Sequence, residues 1–204
     1  MVSKEKERSI MNLKKTSNLI HALLYEIEGH PLRPELEATP DRVVRALEEL
    51  LDGYKTNIEE LFTTFNDEES IPPNNGEGIY DQIVAVKNIE AWSWCEHHLL
   101  PFHINASIAY LPRDKVIGAS KIPRLVLAYA HRLQLQERIT RQIANAIMSN
   151  LEPHGVAVII TGEHSCMRIR GVRAESSQLI TSVMLGAFRD NQSTRLEVLS
   201  LLGL

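Results

Sequence analysis

Cys95-Glu96-His97-His98-Leu99-Leu100-Pro101-Phe102-His103-Ile104-Asn105-Ala106-Ser107-Ile108-Ala109-Tyr110-Leu111 is the stretch from which the rest of the chain can be read. Its second half alternates. Ile104, Ala106, Ile108 and Tyr110 fall two apart, the period of a strand with one buried face. Its first half carries chemistry. Cys95 and His98 form a Cys-x-x-His turn, which can put two donors on one ion. A second short stretch, His164-Ser165-Cys166, holds the chain's other cysteine beside another histidine. Thiolate and imidazole ligands suit Zn²⁺, and three protein ligands leave a fourth position for water, an open arrangement of the catalytic kind. His97 and His164 would then stand beside the ion as imidazoles able to move protons near neutral pH. Ligation by His164 is the competing assignment.

Working outward, Ile79 to Ile89 is rich in β-branched residues and predicts a strand leading into the cysteine turn. Val156 to Ile160 predicts another strand, bent at Thr161-Gly162, with Cys166 to Val172 as its antiparallel neighbour. Helical periodicity runs from Thr16 through Ile27, from Pro40 to Leu51 behind Thr39 as N-cap, through a segment opened by Gly118-Ala119-Ser120-Lys121 and running to Ala130, and from Glu137 to Leu151. Ile58 to Phe65 reads as a short helix, Leu179 to Phe188 as helix or strand, and Thr194 to Leu202 as a closing helix. Strands, helices, then strands predict an α+β fold with helices packed on an antiparallel sheet. Asp67 to Gly78 reads as a loop. The expected organisation is a helical region at 1–66, a loop at 67–78 and a catalytic α+β domain at 79–204.

The 204 residues carry 26 acids and 22 bases, and 44% are hydrophobic. That is enough to fill a core, and the slight acidity argues against nucleic acid or an anionic membrane as the main partner. No apolar run reaches transmembrane length, and Met1 to Lys15 lacks the apolar stretch of a signal peptide. Two cysteines do not make a disulfide framework, and reduced ligand thiols imply a cytoplasmic protein.

Two basic groups suit an anionic substrate. Ser120-Lys121-x-x-Arg124 opens a helix, where free N–H groups favour an anion. Arg168-Ile169-Arg170, followed by Arg173, would share a strand face with Cys166, which singles out Arg170. Arg42 and Arg45 are further candidates on the second helix. Gln134-Leu135-Gln136-Glu137-Arg138 is polar where two apolar helices join. A Glu137 carboxylate there could accept two donors from a guanine edge, or it could cap the helix that follows.

These stretches together resemble the type I GTP cyclohydrolase family. The likeness rests on Cys95-Glu96-His97-His98 with Pro101-Phe102, on Gly118 through Arg124, and on Arg132 through Arg138. His164 through Gly171, Gly186 and Thr39-Pro40-x-Arg42 add to it, so that it covers roughly residues 15 to 202. The resemblance implies Zn²⁺ on Cys95, His98 and Cys166, with catalytic roles for His97, His164 and Ser120. It implies guanine binding by Gln136 and Glu137, and triphosphate and ribose binding by Ser120, Lys121, Arg124 and Arg170, with Arg42 or Arg45 reaching in from another subunit. It implies a tunnelling fold whose sheets join into a pentameric barrel, two pentamers forming an allosteric homodecamer. The implied activity is hydrolysis of GTP to formate and 7,8-dihydroneopterin triphosphate, at the head of tetrahydrofolate or other pterin and deazaguanine synthesis. The alternatives are a related zinc hydrolase of another purine nucleotide and a non-catalytic zinc-binding relative. Trp94, His103-Ile104, Ala119 and Pro123 depart from the family pattern but spare the metal ligands and catalytic histidines.

Overall fold

A computed structural model of the chain describes residues 9–62, 64–66 and 80–203. The expected loop at 67–78 and the start of the expected strand at Ile79 lie outside the described residues. Two compact units divide between Lys55 and Thr56.

The first unit pairs two helices, α1 (Leu13–Glu28) and α2 (Thr39–Leu50). Asn12 caps α1 by accepting from the Lys15 backbone N–H. Thr39 is not the N-cap expected of it. The helix already includes Thr39, Ala38 precedes it without a side-chain cap, and Pro40 takes the early position where its missing N–H costs nothing. On α1, Leu19, Leu23 and Ile27 of the apolar stripe remain exposed.

The second unit is built on a five-stranded sheet. β1 (Thr64–Asn66) pairs separately with β4 (Lys115–Ile117). The main sheet runs in the order β5-β2-β3-β6-β7, with β2 Val84–Cys95, β3 Pro101–Leu111, β5 Leu133–Gln134, β6 Gly155–His164 and β7 Leu179–Gly186. The β2-β3, β3-β6 and β6-β7 ladders are antiparallel, and β5 joins β2 in parallel through Trp94↔Leu133 and Cys95↔Gln134. The sheet is therefore mixed rather than wholly antiparallel.

Alternation in β3 does what its sequence predicts. Ile104, Ala106, Ile108 and Tyr110 are all buried. They face a core shared with α3 (Lys121–Ala130) and α4 (Gln136–Leu151) through Ile122, Leu125, Ile139, Ile143 and Ile147. Each such aliphatic side chain stabilises the fold by about 1.5–3 kcal/mol relative to an exposed one. The continuous apolar run of β6 has a different cause. Val156, Val158 and Ile160 join that core, while Ala157 and Ile159 face a second cluster with Phe188, Val198 and Leu202. The second cluster draws on α6 (Ala187–Asp190) and α7 (Gln192–Leu202), so this strand is covered on both sides.

Three local expectations are corrected. β6 does not bend at Thr161-Gly162, because its ladder with β3 continues through Thr161↔Asn105 and Gly162↔Ile104. Cys166 to Val172 is not the neighbouring strand. β7 already fills that edge in register from Gly155↔Gly186 to Gly162↔Leu179, so Ser165–Arg168 turns into a short helix, α5. Ile58 to Phe65 is a single 3-10 turn at Glu59–Leu61 followed by β1.

Candidate active site

The register of the sheet assembles the site. β2 ends at Cys95, and β3 begins at Pro101, opposite Trp94. At the same end Phe102 pairs with His164, the last residue of β6. The turn joining β2 to β3 therefore meets the junction of β6 and α5, and Cys95 reaches Cys166 although 70 residues of chain separate them.

The turn is closed by its own backbone. The Cys95 N–H donates to Leu100 O at 2.9 Å, and the Leu99 N–H donates to Cys95 O at 2.9 Å. Leu99 takes a left-handed conformation, φ 51°, to complete it. β5 supports the turn from the side, with the Glu96 N–H donating to Gln134 O at 3.2 Å. Arg138 of α4 adds a two-pronged ion pair to Glu96, at 2.5 and 3.0 Å. The same guanidinium holds the Glu96 carboxyl below its usual range. The sequence reading quoted both residues without giving either a task. Only their meeting in space shows it.

Within this frame the ligand atoms of Cys95, His98 and Cys166 lie within 4.8 Å of one another. Cys95 Sγ is 3.6 Å from His98 Nδ1. Both cysteines are free. Burial and the neighbouring Cys95 thiol push the Cys166 thiol up, while Arg170 pulls it the other way. Two sulfurs and one imidazole nitrogen converging on one point fit a borderline-soft divalent ion. His97 is exposed beside them, its ring centroid 6.1 Å from that of His98.

His164 is buried, stacked on Phe102 with ring centroids 4.3 Å apart and planes 10° from parallel. Burial lowers its proton affinity, and the Glu137 carboxylate opposes that shift. Its Nε2 lies 2.9 Å from Gln136 Oε1. Gln136 is fully buried, and its amide nitrogen donates to Ile160 O, Leu179 O and Thr181 Oγ1. The side chain expected on guanine is thus turned inward and committed to the chain, and the exposed carboxylate beside it is that of Glu137.

The remaining candidates divide. Arg170 is exposed just beyond α5 and acts electrostatically on Cys166. It does not share a strand face with Arg168, because the backbone there is helical and then turned, and Arg168 bends back to pair with Glu163. Ser120, Lys121 and Arg124 open α3, with no hydrogen bond or ion pair from their side chains among the described residues. Arg42 and Arg45 belong to α2 of the first unit. A wide hollow of about 630 Å³ opens on the other face of the sheet, on the cross-strand row Trp92, His103 and Glu163. Of the candidate basic group, Arg168 and Arg173 line it, whereas Arg170, His97, His164 and the Cys95, His98 and Cys166 cluster do not.

Comparison with known proteins places this geometry among relatives. The profile of the family described as GTP cyclohydrolase I matches residues 16–203. A protein of Leptospira biflexa named GTP cyclohydrolase 1 is 46% identical over 185 residues, covering 91% of this chain and 96% of that protein. GTP cyclohydrolase 1 1 of Pseudomonas aeruginosa is 46% identical, covering 89% of this chain and 92% of that protein. The Neurospora crassa protein named GTP cyclohydrolase 1 is 42% identical, covering 94% of this chain and 58% of that protein.

Proposed function

The chain belongs to the GTP cyclohydrolase I family, and from that membership we propose how its residues divide the work of converting GTP to formate and 7,8-dihydroneopterin triphosphate. The observation that supports the reading most directly is the convergence of Cys95, His98 and Cys166 beside two further imidazoles. Cys95, His98 and Cys166 would hold a Zn²⁺ ion, which would supply water acidified toward hydroxide at neutral pH.

The chain's own groups do the rest. The Glu137 carboxylate accepts the two N–H donors of the guanine edge. His97 protonates N7, without which C8 is a poor electrophile. Water adds at C8, the five-membered ring opens to a formamide, and a second water releases formate. His164, with help from Ser120, exchanges protons at the ribose as it opens and rearranges. Closure of the new ring expels one water, so one water is consumed overall. Lys121, Arg124 and Arg170 take the triphosphate, arginine because its planar fork binds two oxygens at once. Arg42 or Arg45 joins them from a neighbouring subunit.

The catalytic domain is residues 79–204. The assembly is a decamer of two pentamers, the sheets joined edge to edge in a tunnelling fold, with allosteric coupling between sites. Free thiols serving as ligands fit a cytoplasmic enzyme. Among the described residues no helix is long and apolar enough to cross a membrane.

GTP incubated with the zinc-loaded protein is expected to yield one formate per nucleotide and, after oxidation, a fluorescent pterin. Absence of both would overturn the reading. Formate without the pterin would point to a related purine nucleotide hydrolase that stops after ring opening.

A further inference from the structure

We propose that Gln136 is a positioning residue, fixing His164 in the tautomer protonated at Nε2 so that Nδ1 is the nitrogen that exchanges protons with the substrate. The inference rests on the site reading above and deepens it.

Gln136 Nε2 lies 2.9 Å from Ile160 O, 2.9 Å from Leu179 O and 3.1 Å from Thr181 Oγ1. Carbonyl oxygens only accept, so the atom facing them must carry hydrogens. The reversed amide would set oxygen against two carbonyl oxygens inside a buried pocket, which the hydrogen-bond network excludes. Oε1 therefore faces His164 Nε2 at 2.9 Å, and there it can only accept. His164 Nε2 must donate. A neutral imidazole has one N–H, so Nδ1 keeps a bare lone pair. That nitrogen has no hydrogen-bond partner among the described residues.

The surroundings are built to hold this arrangement. Thr140 Oγ1 donates to Gln136 O at 2.8 Å, which leaves the Thr181 hydroxyl as donor in the 2.6 Å contact between the two threonines. Thr181 then offers a lone pair to Gln136 Nε2. Gly162 completes the cradle. A Cβ there would stand 2.0 Å from Gln136 Oε1 and 3.3 Å from His164 Nε2, so only glycine lets the strand pass beneath the bond. Phe102 fixes the ring plane from another side. When Nδ1 takes up a proton, the Nε2–H···Oε1 bond is kept, so the ring cycles between its two states without turning.

Neutron diffraction of the zinc-loaded, deuterium-exchanged enzyme reads the tautomer directly. Deuterium is expected on His164 Nε2. Steady-state kinetics supply the second readout. Gln136→Met should lower kcat about 100-fold, in the range of a lost general acid–base group, while KM for GTP stays within about threefold and zinc remains at one per subunit. If Gln136→Met fails to load zinc, Thr181→Val, which leaves both carbonyl anchors, should show the same split with a fall in kcat of roughly threefold to tenfold. Deuterium on Nδ1 with none on Nε2, in an enzyme that releases formate, would overturn this inference alone. So would a tenfold rise in KM at unchanged kcat, the mark of a residue that reads guanine. A wild-type protein that releases no formate overturns the functional reading instead.

Discussion

Under the proposed division of work, removing Cys166 and removing His97 or His164 have different expected outcomes. Cys166→Ala should lose both zinc and formate release. His97→Ala should keep its zinc and fail before the ring opens. His164→Ala should keep its zinc and accumulate an opened formamide. Metal analysis of these three variants and of His98→Ala decides. If His164→Ala is metal-free while Cys166→Ala or His98→Ala remains fully loaded, the ligand set is wrong. Arg170 gives a second test. It faces outward near Cys166, and charge-assisted bonds to phosphate of about 1.5–3 kcal/mol each imply a 10- to 100-fold weaker grip on GTP in Arg170→Ala. Guanosine affinity, measured by calorimetry, should stay nearly constant. Equal loss for both ligands would make Arg170 a support for the fold. The cluster of Cys95, His98 and Cys166 is legible in the sequence at this scale because cysteine beside histidine is chemically conspicuous. Gln136 is not. A polar residue at a helix start looks the same in sequence whether it faces substrate or is sealed behind Gly162.

The elements of the second unit are held at their joints, and the joints make predictions. Gly186 ends β7 with φ 56°, and a Cβ there would stand 2.2 Å from His154 O, which also accepts from the Ala187 N–H. Gly186→Ala must therefore move backbone, and a cost of about 2–3 kcal/mol is expected. A Tm lowered by several degrees in the zinc-loaded protein is the measurement, and an unchanged Tm would refute it. At the other end of the ladder, Gln178 and Arg168 hold the Glu163 carboxyl below its ordinary value of 4.5. A depressed acid stabilises the folded state above its unfolded pKa, and loses that contribution as pH falls through the folded value. The Tm difference between wild type and Glu163→Gln should thus be small and constant near neutrality, and shrink below about pH 4.5. A difference that grows on acidification would reverse the assignment. Periodicity found β3, α3 and α4 in the sequence because each has one dry face. It misplaced the partner of β6. A run such as Cys166 to Val172 looks β-rich, yet Ile169 and Val172 are exposed, and the pairing edge belongs to β7, which begins a short turn later at Leu179.

At the scale of the whole molecule the single chain leaves surfaces that are costly to expose. The outer edge of β7 has no strand partner among the described residues, and β2 is flanked beyond β3 only by the two residues of β5. Open edges of this length invite pairing with another chain. Ile180 on β7, Trp92 on β2, and Leu19, Leu23 and Ile27 on α1 are also exposed. Sequence patterning names these residues as apolar but cannot say which apolar faces close within the chain and which close between chains. Both kinds obey the same period. The edges supply that distinction here, since a ring of copies joined β7 to β2 would pair both and leave none open. Light scattering of the active protein is expected to give many times the 23.1 kDa of one chain. A proline placed at Ser182, in the middle of β7, should lower that mass. Ser182 is opposite Ile159 on one side, so the loss must be compared with Ile159→Pro, which disturbs only ladders within the chain, to β3 and β7. A monomer near 23 kDa that still releases formate would separate the chemistry from the assembly and refute a site shared between subunits.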